Sequence, residues 1–176
     1  MIRLVARLDR AAAALAKAAA WAAGLLLVAM VGHVILEILL RGLFATSTFA
    51  LDEFVGYGVA AVTFLAAGYA FQDGALIRVS FGLAAAGRLS PALRRLLELL
   101  CVAVAAAALW FVAWHFARSV LRNLERGRLS ETVAAVPLWI PEGLMLLGLT
   151  VVSLRISVYG LRLLCGGPLL AEEGHG

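Results

Sequence analysis

The stretch AAAWAAGLLLVAMVGHVIL, residues 18–36, decides the fold, because its nineteen consecutive residues include no charged side chain. Two further uncharged stretches of the same length follow at residues 54–72 and 99–117. A bilayer core about 30 Å thick needs roughly 20 helical residues to cross it, and every backbone polar group inside it must be paired internally. A fourth apolar stretch, about residues 138–163, is interrupted by Pro141 and three charged residues. The sequence therefore predicts an all-α integral membrane protein with four transmembrane helices.

The composition excludes an ordinary soluble enzyme. Of the 176 residues, 64% are hydrophobic and 15% are charged, whereas soluble domains average about 45–50% apolar and about 25% charged residues. We attribute the net charge of +4 to cytoplasmic loops rather than to nucleic-acid binding. The sequence has no catalytic motif and no Cys or His spacing typical of a metal site. We therefore expect no enzyme activity, no cofactor and no metal.

The chain divides into a basic cytoplasmic N-terminus at residues 1–17, a membrane domain at 18–165 and a flexible C-terminal tail at 166–176. Within the membrane domain, the four spans are expected at about residues 18–40, 51–72, 96–117 and 138–163. With both termini in the cytoplasm, ten Lys and Arg residues lie on the inner side and five on the outer side, as the positive-inside rule favours. A short amphipathic segment between helices 2 and 3, residues 73–89, is predicted to lie along the inner surface.

Two helix starts carry local signals. Ser90 followed by Pro91 predicts the start of the third helix, because a proline at the first helical position loses no hydrogen bond. Thr48 is predicted to cap the second helix. Asp52 and Glu53 then fall in its first turns, where negative charge complements the helix dipole. These two acids are either a solvated helix start or a contact with a partner.

Polar residues near the ends of the spans are candidates for function. Glu37 and Arg41 are four residues apart and share a helix face. They form either a local ion pair that ends the first span or a contact with a partner subunit. Arg155 either snorkels to the inner interface or pairs with Glu98. Trp139 is expected at headgroup depth, at the start of the fourth helix.

Two histidines in the spans offer an alternative function. His33 and His115, from different helices, could ligate a haem iron and make the chain a membrane anchor similar to a cytochrome b. Polar packing between helices is the commoner use of such residues. Small residues are also predicted to allow close helix contact, among them Gly56, Ala60, Gly148, Ser153 and Ser157.

The order of several short motifs resembles that of the small membrane subunit of TRAP transporters, the DctQ type. The motifs are Glu37-x-x-x-Arg41 at the end of the first helix, Leu51-Asp52-Glu53-Phe54 at the start of the second, Val62–Gly68, Leu76–Val79, and Val136–Pro141 at the start of the fourth. Leu76 and Ser80 depart from the histidine and aspartate usual in that family, and the tryptophan expected ahead of the paired acids is missing.

The resemblance implies a non-catalytic subunit of a tripartite transporter in the bacterial inner membrane. In that family a large membrane subunit moves the substrate, commonly an organic acid anion, driven by a sodium gradient. A periplasmic binding protein delivers the substrate, and the small subunit holds the machinery in the membrane and helps to form the docking surface. The candidates for partner interfaces are then Glu37, Arg41, Asp52, Glu53, Arg78, Trp139 and Arg155.

Two further expectations concern partners. We expect the charged outer loop, Arg118–Glu131, to help dock the binding protein. The small subunit of the tripartite tricarboxylate transporters, which also has about four spans, stays open as an alternative identity, and the partner that co-purifies would separate the two.

Overall fold

A computed structural model describes residues 2–73 and 90–166. It has four helices, α1 (Ile2–Phe44), α2 (Leu51–Gln72), α3 (Pro91–Glu125) and α4 (Trp139–Leu164). Each is long and apolar enough to cross a membrane. Within the described ranges there is no strand, only an isolated bridge in the α3–α4 loop. The prediction of an all-α chain with four membrane-spanning helices is confirmed, and the cytoplasmic position of the termini stays a prediction.

The lengths of the helices differ more than the hydropathy pattern suggests. α1 has 43 residues and is about 64 Å long at 1.5 Å per residue. This helix joins the basic N-terminal segment, residues 2–17, to the first apolar stretch without a break. α3 has 35 residues and also continues past its apolar stretch, to Glu125. Both helices are long enough to extend beyond a bilayer core about 30 Å thick.

α4 is the central helix of the bundle. It packs against α1, α2 and α3, whereas α1 and α3 make no contact with each other within the described ranges. In the most apolar 18-residue stretch of α4, 44% of the residues are buried, against 11% in those of α1 and α3. The outer faces of α1 and α3 are therefore apolar surfaces that no other described part of the chain covers.

The tightest contact in the core joins α2 and α4. A Cβ atom built on Gly148 would lie 2.4 Å from the carbonyl carbon of Phe64 and 2.5 Å from the backbone nitrogen of Leu65. Only a glycine allows the two backbones to approach this closely. Further along α4, the ring of Tyr159 packs edge-on against Phe71 with centroids 5.7 Å apart. The prediction that Gly148 mediates close helix contact agrees with this geometry.

The two predicted helix starts have different outcomes. α3 begins at Pro91 with Ser90 as its N-cap residue, although the Ser90 side chain makes no capping hydrogen bond. The prediction that Thr48 caps α2 is wrong, because α2 begins at Leu51 and Ala50 is its N-cap residue. Thr48 instead turns back towards α1 and binds Glu37. The Thr48 hydroxyl and amide donate to a carboxylate, and such charge-assisted hydrogen bonds are stronger than the neutral bond that a capping hydroxyl accepts from a helix amide.

Some of the predicted features fall outside the described residues. They are Arg78, the predicted amphipathic segment beyond Asp73, and the predicted tail beyond Gly166.

Candidate functional site

The first candidate site is the α1–α2 junction, formed by Glu37, Arg41, Ser47 and Thr48. Glu37 lies near the end of α1 and is 1% exposed. Its Oε1 accepts hydrogen bonds from Arg41 Nε at 2.8 Å and from the Ser47 hydroxyl. Its Oε2 accepts from the Thr48 backbone amide at 3.0 Å and from the Thr48 hydroxyl at 2.7 Å. The Glu37 carboxylate thus fixes the α1–α2 linker to the end of α1.

The linker follows a tight path around this carboxylate. Ala45 and Phe49 have positive φ values of 50° and 56°, a region that is uncommon for residues with a side chain. The Phe49 amide donates to the Ser47 hydroxyl at 3.0 Å. The hydrogen bonds to Glu37 therefore hold a strained turn, which lets a linker of six residues join α1 to α2.

The predicted pair of Glu37 and Arg41 forms, and its two members have different surroundings. The Glu37 side chain is 2% exposed, whereas that of Arg41 is 62% exposed. One guanidinium nitrogen of Arg41, Nη2, also donates to the Ser47 hydroxyl at 3.3 Å. The carboxylate is a structural acceptor inside the junction. Arg41 is the member of the pair that a partner protein can reach.

The second candidate site is the loop cleft, a cavity of about 970 Å³ between the start of α2 and the α3–α4 loop. It is lined by Asp52, Glu53, Gly56, Tyr57, Arg128, Leu129, Ser130, Glu131, Thr132 and Leu138. Glu53 accepts a hydrogen bond from the Thr132 hydroxyl, which links α2 to the loop. Asp52 is exposed. Of the paired acids, one therefore holds the loop and the other faces outward.

The α3–α4 loop has a defined shape because its own backbone is paired. The Ser130 amide donates to the Val136 carbonyl at 2.9 Å, and the Leu138 amide to the Arg128 carbonyl at 3.1 Å. At its base, Asn123 Nδ2 lies 2.8 Å from both carboxylate oxygens of Glu142. This contact joins the end of α3 to the start of α4. Trp139, the first residue of α4, is 40% exposed beside it.

Arg155 pairs with an acid that the sequence analysis did not consider. It is 6% exposed and forms an ion pair with Asp9 of α1. The other carboxylate oxygen of Asp9 accepts from Arg162 at 3.2 Å. Glu98 accepts from the Tyr159 hydroxyl at 2.8 Å. The prediction that Arg155 pairs with Glu98 is wrong, because α1 continues far enough to bring Asp9 against α4. The snorkelling of Arg155 to the inner interface stays a prediction.

The two histidines are not brought together. His33 lies on α1 with its ring 5.7 Å from that of Phe54, and His115 lies on α3, where its Nδ1 is 2.9 Å from the Phe111 carbonyl oxygen. Since α1 and α3 do not contact each other within the described ranges, the packing of the helices gives no support to a haem held between this pair. No group of three or more His, Cys, Asp or Glu residues that could hold a metal ion occurs in that part of the chain.

Three of the polar contacts between elements that sequence reasoning missed are those of Asp9 with Arg155, Thr48 with Glu37, and Asn123 with Glu142. One of them had a signal in the sequence. Asp9 is the only acidic residue among the first 36, and an isolated acid in a basic and apolar helix indicates a specific cationic partner. The other two depend on where the chain reverses direction, which the sequence pattern does not reveal.

Comparison with known proteins gives one match. The family model of the tripartite ATP-independent periplasmic transporters, DctQ component, matches residues 30–166. This range includes both candidate sites and all four helices, α1 from Met30 onward. No curated protein and no solved structure matches significantly. The match confirms the resemblance seen in the sequence motifs, and the chain belongs to the DctQ family of TRAP transporter small membrane components.

Proposed function

We propose that this chain is a non-catalytic scaffold subunit of its transporter. It holds the large membrane subunit in the bilayer and helps to dock a periplasmic substrate-binding protein, for ion-driven uptake of organic-acid-like solutes across the bacterial inner membrane. The observation that carries the proposal is the distribution of apolar surface around α4. A central helix packed on three sides, with two long flanking helices exposed on their outer faces, suits a protein that braces a neighbour in the membrane.

The outer faces of α1 and α3 carry exposed apolar side chains that suit such an interface. On α1, Leu25 and Val28 are 70% and 71% exposed, and on α3, Val104 and Phe111 are 62% and 65% exposed. Lipid covers such surfaces as well as a protein does, so exposure alone does not select the face. The family, whose transporters are tripartite, supplies the reason to assign part of this surface to the large subunit.

The docking role is assigned to the end of the bundle that carries the α1–α2 junction and the loop cleft. This end presents charges of both signs, with Arg41 and Asp52 exposed. The hydrogen bonds of Glu37 and Glu53 hold the segments on which these charges lie. A fixed arrangement of charges favours selective docking, because charge complementarity steers association and penalises wrong partners.

Co-purification under mild detergent tests the scaffold role. Tagged wild-type chain is expected to retain a large multispan membrane protein, and its absence would contradict the proposal. The matched variants Val28→Trp on α1 and Val104→Trp on α3 then locate the interface. A bulky ring is tolerated where the face meets lipid and lowers recovery of the partner where the face meets protein. Gly143→Ala, at a position with open space around it, serves as a control in the same bundle.

A further inference from the structure

The N-terminal part of α1 has a packed face. Ala12 and Ala16 are 2% and 0% exposed, and Asp9 binds α4 on the same side. The spacing of these residues by three and four positions places them on one face of the helix. This face attaches the first turns of α1 to the bundle and fixes the direction of the remaining side chains.

A second face carries the basic stripe, which consists of Arg3, Arg7, Arg10 and Lys17. Their spacings of four, three and seven positions keep them within one sector of the helix, opposite the packed face. All four residues are exposed. Beside the stripe lie three exposed leucines, Leu4, Leu8 and Leu15, at 62%, 44% and 51% exposure. A basic face next to an apolar one is typical of helices that bind membrane surfaces.

The charge of the basic stripe is not neutralised by its own helix. Asp9 is the only acid among the first 36 residues, and its two carboxylate oxygens are bound by Arg155 and Arg162. Within the described ranges no carboxylate forms an ion pair with a residue of the stripe. Tertiary packing thus removes the one nearby counter-charge and leaves four cations facing outward.

The length of α1 places part of this stripe at the membrane surface. Lys17 lies 24 residues, or about 36 Å, from Arg41 along the helix, and Arg10 lies about 46 Å from it. A bilayer is about 40–45 Å thick including its headgroups. With Arg41 at the opposite boundary and an ordinary tilt of about 20°, Lys17 and Arg10 reach the headgroup layer. Arg7 follows about 3 Å beyond that layer and Arg3 about 9 Å beyond it.

We propose that the basic stripe binds the phosphate groups of anionic phospholipids in the inner leaflet, with Leu15 inserted beside them. The surface potential of anionic lipids attracts juxtamembrane cations with about 1 kcal/mol per Lys or Arg. The site is a property of the isolated chain and needs neither the large subunit nor the binding protein. The lipid-binding proposal is therefore tested independently of the proposed scaffold function.

The test uses the full chain in vesicles of phosphatidylcholine and phosphatidylglycerol. Spin-labelled lipids measure the preference of the protein for phosphatidylglycerol over phosphatidylcholine. Wild type is expected to prefer phosphatidylglycerol. In the variant R7Q/R10Q/K17Q this preference should fall at least about fivefold, which is the change in binding constant that corresponds to about 1 kcal/mol. The charge-preserving variant R7K/R10K is expected to keep it. Since these side chains are exposed, all variants should unfold near the wild-type temperature in phosphatidylcholine alone.

Two outcomes would overturn the proposal. The first is an unchanged preference in R7Q/R10Q/K17Q. The second is an equal loss in R118Q/R122Q/R126Q, which removes three charges from the other end of the bundle and would show a general charge effect.

Discussion

Asp9 and Arg155, 146 residues apart in the sequence, form an ion pair between α1 and α4. The Arg155 side chain is 7% exposed and that of Asp9 is 21% exposed. The carboxylate also binds Arg162 at 3.2 Å, so one acid of α1 serves two cations of the central helix. This bridge attaches the N-terminal turns of α1 to the bundle.

Removing the acid of this bridge should destabilise the bundle. In Asp9→Asn, Arg155 stays buried with no carboxylate, a change that typically costs about 3–5 kcal/mol for a buried pair. We expect the lower end of that range, because Asp9 is partly exposed. Thermal unfolding in detergent measures the effect, with Asp52→Asn, at an exposed position, as the matched control. The double variant D9N/R155M should be more stable than D9N alone, and equal loss in both would contradict a pairwise interaction.

Gly148 should tolerate no larger residue. In Gly148→Ala the new Cβ meets the Phe64 backbone, which cannot move aside as a side chain can. The helices must separate, and overpacking of this kind costs about 1–3 kcal/mol. Gly143→Ala is the control on the same helix, since nothing lies within 4 Å of its added Cβ and alanine is the better helix former. Equal unfolding temperatures for the two variants would refute the close contact.

Glu37→Gln should loosen the α1–α2 junction. The amide keeps one acceptor oxygen, whereas the carboxylate accepts through both. Arg41 and the pair of donors on Thr48 then compete for that oxygen, and the amide NH2 group cannot accept from either. Hydrogen–deuterium exchange should become faster at the Thr48 and Phe49 amides. Glu125→Gln, at an exposed site, should leave exchange unchanged, and protected junction amides in Glu37→Gln would contradict the assigned role.

Arg41→Ala should impair transport and leave the subunit in the membrane. The Arg41 side chain is 62% exposed, so its loss removes a charge that a partner can reach and empties no core position. We expect uptake in vesicles reconstituted with all three components to fall several-fold at an unchanged level of subunit. Arg122→Ala, another exposed arginine, is the control. Wild-type uptake in Arg41→Ala would show that this residue takes no part in docking.

Much of the fold follows from local pattern. The four apolar stretches define four helices because the need to pair backbone groups in a bilayer leaves few other choices. The pairing of Glu37 with Arg41 was predictable for a similar reason, since residues four apart meet on any helix. The family could also be inferred from the order of short motifs, and its model matches residues 30–166.

Other features depend on how the helices are rotated and where the chain turns. Helical periodicity states which residues share a face, but not which neighbour that face meets. Only the tertiary structure shows that α4 is central, that Gly148 contacts the Phe64 backbone, and that Thr48 binds Glu37 in place of capping α2. The same holds for Asp9, whose sequence neighbours are apolar or basic. Its partner Arg155 is set by the packing of α1 on α4, a long-range contact that no local pattern encodes.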